Sequence, residues 1–244
     1  MTGARRAALQ PAFLLHHHDY SDSSRILELL TREHGRISLF GRGVRRAKSP
    51  YRPVLQPFVP LLLSWSGGTD GGVLTGAEFA GEVRPLAASC LMSGFYLNEL
   101  LLKLTPRGEA IAEVFDLYAL TLGALRDGGN EQAALRNFER QLLEQLGYGI
   151  DVSRDAGSGE PLAADRYYHF HPGVGVRAVR DAAVGADAYL GSQLLDFAEG
   201  RLAAPESLRA AKRLLRAALE HCLEGRDLRS RDVMLALRRL EADK

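Results

Sequence analysis

Near Gly81 the apolar period of this chain changes from two to between three and four, and that change limits the possible folds more than any other feature. Before it, apolar runs are short and broken by glycine or proline. AFLLHHH (12 to 18) is strand-length and leads into the turn-rich DYSDSS. RILELLTRE (25 to 33) fits helix or strand by periodicity, but it runs through His34-Gly35 into RISLFGR, which favours a β-hairpin. VLQPFVPLLLSW (54 to 65) carries Pro57 and Pro60 and predicts an edge or bulged strand at its start. SGGTDGG (66 to 72) reads as a loop and VLTGAEFAG (73 to 81) as a further strand. Five short strands with Gly-rich loops in about 80 residues predict a small closed barrel.

After Gly81 the spacing is helical. PLAASCLMSGFYLNELLLKL (85 to 104) places Leu97, Leu100, Leu101 and Leu104 on one face. EAIAEVFDLYALTLGALRD (109 to 127) and EQAALRNFERQLLEQLG (131 to 147) follow. Residues 148 to 191 show little periodicity, with a small hairpin expected around YYHFHPGVGVRAV. Helical patterns resume in SQLLDFAEG, PESLRAAKRLLRAALEHCLEG (205 to 225) and SRDVMLALRRL (230 to 240). The predicted fold class is α+β in two parts: a β-barrel over 1–81, then a mostly α-helical domain over 82–244 with an irregular insert at about 148–191.

No segment approaches the ~18 uninterrupted apolar residues of a membrane helix. The start, MTGARRAALQPAFLL, lacks the apolar core of a signal peptide, so a cytoplasmic location is expected. Cys90 and Cys222 lie far apart in helix-like segments and are expected to be small buried hydrophobes rather than a disulfide or metal pair.

The net charge of +1 hides an asymmetry. Up to Thr69 there are ten lysines and arginines against four acids; beyond it, twenty-one against twenty-six. Six of the ten (Arg36, Arg42, Arg45, Arg46, Lys48 and Arg52) fall between Gly35 and Phe58, and no acid occurs between Glu33 and Asp70. Strand alternation in RISLFGR puts Ile37 and Leu39 on one face and Arg36, Ser38, Phe40 and Arg42 on the other. Guanidinium groups flanking a phenyl ring suit single-stranded nucleic acid, whose phosphates take the charges while a base stacks on the ring. GVRRAKSPYRP would then be a mobile loop adding four charges and Tyr51. The alternative is an ordinary solvated loop with Phe40 packed beneath a neighbouring strand.

Other constellations are weaker. His16 and His18 share a strand face beside Asp19, and His169 and His171 form a similar pair, but neither completes a zinc ligand set. Ser158 in AGSGEP has glycine neighbours but no preceding apolar strand, so a turn is expected rather than a nucleophile elbow. No phosphate-binding or protease motif is present, and no enzymatic activity is expected. The helix SLRAAKRLLRAALEHCL sets Leu208, Ala211, Leu215, Ala218, Leu219 and Cys222 against Arg209, Lys212, Arg213 and Arg216. Arg136 and Arg140 similarly sit beside Phe138 and Leu142. Such faces are usually just solvated; the functional alternative is a groove for an acidic peptide, basic at the rim and apolar at the floor.

Several stretches together resemble the RecO family of bacterial recombination mediators: GRISLFGRGVRR (35 to 46), LQPFVPLLL (55 to 63), SGFYLNELLLKL (93 to 104), LRNFERQLLEQLGYGID (135 to 151), AGSGEP (156 to 161), LRAAKRLLRAAL (208 to 219) and LRSRDV (228 to 233). The resemblance implies an N-terminal OB-fold barrel and a helical domain. It implies binding of single- and double-stranded DNA, annealing of complementary strands, and loading of RecA, together with RecR and sometimes RecF, onto DNA coated by single-strand binding protein. It implies a cytoplasmic, nucleoid-associated protein without a cofactor. It also implies that the helical domain binds the acidic tail of the coating protein, with Arg136 at the matching position; Arg140, Lys212 and Arg213 join it as neighbours by pattern. Some members hold zinc with four cysteines in the irregular stretch, but residues 148 to 191 contain none here, so that metal is not carried over. Two rivals remain: an RNA-binding barrel on a helical scaffold, and a metal-dependent hydrolase using His16, His18 and Asp19.

Overall fold

The computed structural model describes residues 6–179, 185 and 187–242, with backbone alone for Leu235 and residues 237–242. The chain divides into two compact units, Met1–Gly129 with Leu228–Lys244, and Asn130–Asp227.

In the first unit, β1 (Arg6–Asp19), β2 (Arg25–Thr31), β3 (Gly35–Gly41), β4 (Leu61–Ser66) and β5 (Asp70–Phe79) close into a barrel in the order β1-β2-β3-β5-β4. Only the β3–β5 pairing is parallel. This is the OB-like barrel that the strand pattern predicts. β1 serves two neighbours, pairing first with β4 and then with β2. Register shifts between Ala7 and Gln10 and between Leu14 and His16 bend it around the barrel. Alternation buries Leu27, Leu29, Ile37, Leu39, Leu61, Leu63 and Trp65 in the interior, each worth roughly 1.5–3 kcal/mol.

The β2–β3 hairpin turns at Gly35, whose φ of +65° suits glycine; a Cβ there would lie 1.8 Å from the Glu109 carbonyl oxygen. β4 begins only at Leu61, directly after Pro60, and not at Val54. Prolines have no N–H to give a ladder, so 54–60 stays outside the sheet apart from a bridge between Pro57 and Leu14.

Three helices belong to this unit: α1 (Leu91–Leu104), α2 (Ala112–Arg126) and α6 (Arg229–Ala242). α1 starts later than the apolar pattern, after a single 3₁₀ turn at Ala88–Cys90. The fully buried Tyr118 of α2 donates its hydroxyl to the side-chain oxygen of Asn98 on α1. Asn98 donates in turn to the Leu15 carbonyl of β1 at 2.7 Å, so each buried polar group is satisfied. Burial alone would raise the Glu99 carboxyl. Hydrogen bonds from Ser230 and the Arg229 N–H outweigh it, holding the group ionised at the first turn of α6.

In the second unit, α3 (Glu131–Gln145) is capped by the Asn130 side chain. A three-stranded sheet follows, with β6 (Tyr167–His171) between β7 (Gly175–Ala178) and β8 (Tyr189–Leu190); then come α4 (Gly191–Ala198) and α5 (Pro205–Leu223). The β6–β7 hairpin lies where the sequence places it. Leu135, Phe138, Leu142 and Leu143 of α3, Phe197 of α4 and Leu214, Leu215, Ala218 and Leu219 of α5 are buried. Cys222, like Cys90 in the first unit, is only half-buried, correcting the expectation of two core cysteines; both are free thiols.

Candidate nucleic-acid interface

β3 alternates as expected at Ile37 and Leu39, which face the core, and at Phe40, which remains partly exposed, but Ser38 is buried where its N–H donates to the Thr69 carbonyl. After Gly41 the chain is not the expected mobile loop. It winds through successive turns, with Arg46 N–H donating to Gly43, Ser49 to Arg46, Arg52 to Ser49 and Leu55 to Tyr51. Val44 and Leu55 join the barrel core, and the Tyr51 hydroxyl donates to the Thr75 carbonyl at 2.9 Å. The sequence fraction that reads as polar and Pro-rich hides these two apolar anchors. Arg42, Arg46, Lys48 and Arg52 are left exposed on the wound segment, and among the described residues no carboxylate comes within 4 Å of any of them. Arginines and lysines that lack an acid partner keep their full field for an external anion.

The other two bases of the cluster are engaged internally. Arg45 donates to the Ser21 carbonyl at 2.6 Å and lies 3.3 Å from Asp19. Asp19 is also bonded by Arg25 at 2.9 Å, and that hydrogen bond is the main reason its carboxyl sits below the usual range. Arg36 is half-buried. It donates to the Thr105 carbonyl at 3.0 and 3.2 Å and pairs with Glu28 at 3.4 Å. Glu28 is itself buried and takes a second cation, Arg107, at 2.7 Å. Burial, then the nearby Arg107, lowers Arg36, while Glu28 acts the other way. Arg36 therefore ties β3 to the segment after α1. Replacing Arg36 by alanine is expected to lower folding stability by about 1–3 kcal/mol, because the Thr105 carbonyl loses its donor and Glu28 the weaker of its two cations. The salt dependence of DNA binding should stay unchanged; denaturant melts and salt titrations of the same variant check both.

His16 and His18 stand edge to face with ring centroids 4.5 Å apart, while the Asp19 carboxylate turns to Arg25 and Arg45. Among the described residues no three His, Cys, Asp or Glu gather as a possible metal site. His169 pairs with Asp187 at 3.1 Å. Ser158 donates to Asp155, which also accepts from the Gly157 N–H, so this stretch is a side-chain-stapled turn.

In the second unit the basic residues are more engaged than the helical wheel implies. Arg136 is 7% exposed and donates to Glu139 one turn on at 2.5 Å, inside the core rather than at a rim. Arg140 is half-buried, 3.6 Å from Glu144. Arg213 lies over the Tyr189 ring at 4.4 Å and donates to the Ala188 carbonyl. Lys212 is exposed. A cavity of about 240 Å³ opens between Gly147–Asp151, Phe170–Gly175 and the α5 residues Ala218, His221 and Cys222; none of the four basic residues lines it.

Two family models cover this architecture. Residues 6–82 match the N-terminal part of recombination protein O, and residues 89–232 match its C-terminal part. The chain belongs to the RecO family. It is similar to a protein of Nitrosococcus oceani named DNA repair protein RecO, at 42% identity over 96% of each chain. A Methylococcus capsulatus protein of the same name is 41% identical over 93% of each, and one from Burkholderia pseudomallei 39% identical over 98% of this chain and 87% of its own. No helix among the described residues of this RecO-family chain is long and apolar enough to cross a membrane.

Sequence reasoning missed Tyr20. It is 65% exposed, and its ring meets Phe40 edge-on at 5.3 Å. The signal was its place at the end of β1, in a turn closed by the Tyr20 N–H to Ser24 carbonyl bond, which brings it over β3.

Proposed function

We propose that this chain acts in DNA repair as a recombination mediator without a chemical step. It binds single- and double-stranded DNA, anneals complementary strands and, with RecR and in some settings RecF, helps load RecA onto DNA coated by single-strand binding protein. The single observation that carries the reading is the set of four exposed cations without acid partners on the segment that leaves β3, in a chain of this family. Residues 1–81 serve as the DNA-binding domain and residues 82–244 as the partner-binding domain, working in the cytoplasm at the nucleoid.

Arg42, Arg46, Lys48 and Arg52 take phosphates while Phe40 offers a ring to a base, with Arg45 held beside them by Asp19. Neutralising phosphates on two strands at once favours annealing. The acidic tail of the coating protein binds the helical domain near Arg136, Arg140, Lys212 and Arg213, and holding tail and DNA together raises the local concentration of mediator. Strand annealing on coated DNA tests this. Acceleration is expected with the full-length coating protein and is lost with a tail-less one; equal rates with both would overturn the tail-binding part. Equal affinity for RNA and single-stranded DNA in direct competition would favour the RNA-binding rival.

A further inference from the structure

Register places His18, Ile26, Phe40 and Val73 in one row across β1, β2, β3 and β5. At the ~4.8 Å spacing of neighbouring strands, His18 lies roughly 10 Å from Phe40 along that row. Both His16 and His18 are exposed, as is Tyr20. The outer barrel face thus carries two ring pairs, His16–His18 at 4.5 Å and Tyr20–Phe40 at 5.3 Å, separated by the half-exposed Ile26. Such a strip has the composition of a base-stacking surface.

The acids along it are already compensated. Asp19 is held by Arg25 and Arg45, and Glu28 by Arg36 and Arg107, which also pairs with Asp70 at 3.3 Å. A polyanion approaching the strip therefore meets little uncompensated negative charge from these groups.

We propose that Tyr20, His18 and His16 extend the single-strand site from β3 across to β1, with Tyr20 stacking a base, His18 adding a ring and His16 acting as a contact whose charge depends on pH. This rests on the reading of the barrel as the DNA-binding part. The triplet of histidines, without a role as metal ligands, thereby becomes part of the nucleic-acid surface.

The charged and titratable groups around the pair are His17 and Asp19 on β1, Asp22 on the following turn, and Arg25 and Glu28 on β2. β4 carries none; α1 brings Glu99 and Lys103, which pair at 3.7 Å, and β5 brings Asp70 and Glu78. Burial, then the neighbouring His18, lowers His16, while Glu28 acts the other way. At pH 8 the lowered His16 ring is neutral and can only stack. Below the ordinary imidazole range it gains a charge beside phosphate, so single-strand affinity rises on acidification.

The test is binding of a fluorescent oligothymidine to the full chain at pH 8 and pH 5, over a range of salt. Wild type is expected to bind about fivefold tighter at the lower pH, with a salt slope steeper by about 0.7 for the one charge added at His16. The His16→Gln, His18→Gln double variant should lose that difference and, without either ring, bind more weakly than wild type at pH 8 as well. Tyr20→Ala should bind about tenfold more weakly at both pH values, and Tyr20→Phe should recover. A pH difference that survives the double variant, or an unchanged Tyr20→Ala, overturns the proposal. Should Arg42→Ala, Arg46→Ala and Arg52→Ala together also leave binding intact, the barrel reading itself fails; should they weaken it, the loss is confined to the β1 extension.

Discussion

Changing Arg42, Arg46, Lys48 and Arg52 together to alanine is expected to lower single-strand affinity roughly 500-fold at about 0.1 M salt. The estimate follows from counterion release: each phosphate contact on a single strand contributes about 0.7 to the log–log salt slope. Four contacts give a slope of about −3, less steep than the six-base count implies, because Arg36 and Arg45 are engaged within the barrel. Stability should hardly change, since none of the four side chains is buried or paired with an acid among the described residues. Fluorescence anisotropy across a salt series, with a thermal melt alongside, reads both. A wild-type slope near zero, or a variant that keeps its affinity, would falsify the assignment.

The second large effect concerns Arg136. Arg136→Ala is expected to cost about 3–5 kcal/mol of folding stability, because it removes the cation from a pair whose carboxylate, Glu139, is fully buried. Lost tail-peptide binding in that variant would therefore report unfolding as readily as lost contact. Replacing both members, Arg136→Met with Glu139→Leu, removes both charges of the pair and should cost clearly less stability than Arg136→Ala alone. Calorimetric titration of an acidic tail peptide into the folded double variant isolates the contact. Weakened peptide binding with normal DNA binding is the expected outcome, and undiminished peptide binding would remove Arg136 from the peptide site.

The same residue shows where periodicity stops being informative. A helical wheel sees Arg136 beside Phe138 and Leu142 and assigns it to a rim, since arginine is rarely buried. Burial becomes affordable only because Glu139 lies one turn along the helix, and the pattern of a single helix does not reveal which face another helix will cover. Arg36 is the parallel case on a strand. Alternation correctly turns it outward, yet the outer face at that point is covered by residues 105 to 108, which come from about seventy positions later in the chain.

What the sequence determined by itself was local. The two-residue period, the glycine turns and the prolines before Leu61 are short-range steric and solvation effects, and they sufficed for five strands, the β2–β3 hairpin and the change to helices. The concentration of bases after Gly35 was legible in the same way, because composition is a property of the segment alone. Tertiary structure decided which of those bases keep their charge for a ligand. That choice depends on carboxylates and carbonyls from distant segments: Glu28, Asp19 and Thr105 claim Arg36 and Arg45 and leave Arg42, Arg46, Lys48 and Arg52 exposed. It also brought Tyr20 onto Phe40 and set the histidine pair on the same face, since strand pairing joins residues that no spacing within one strand relates.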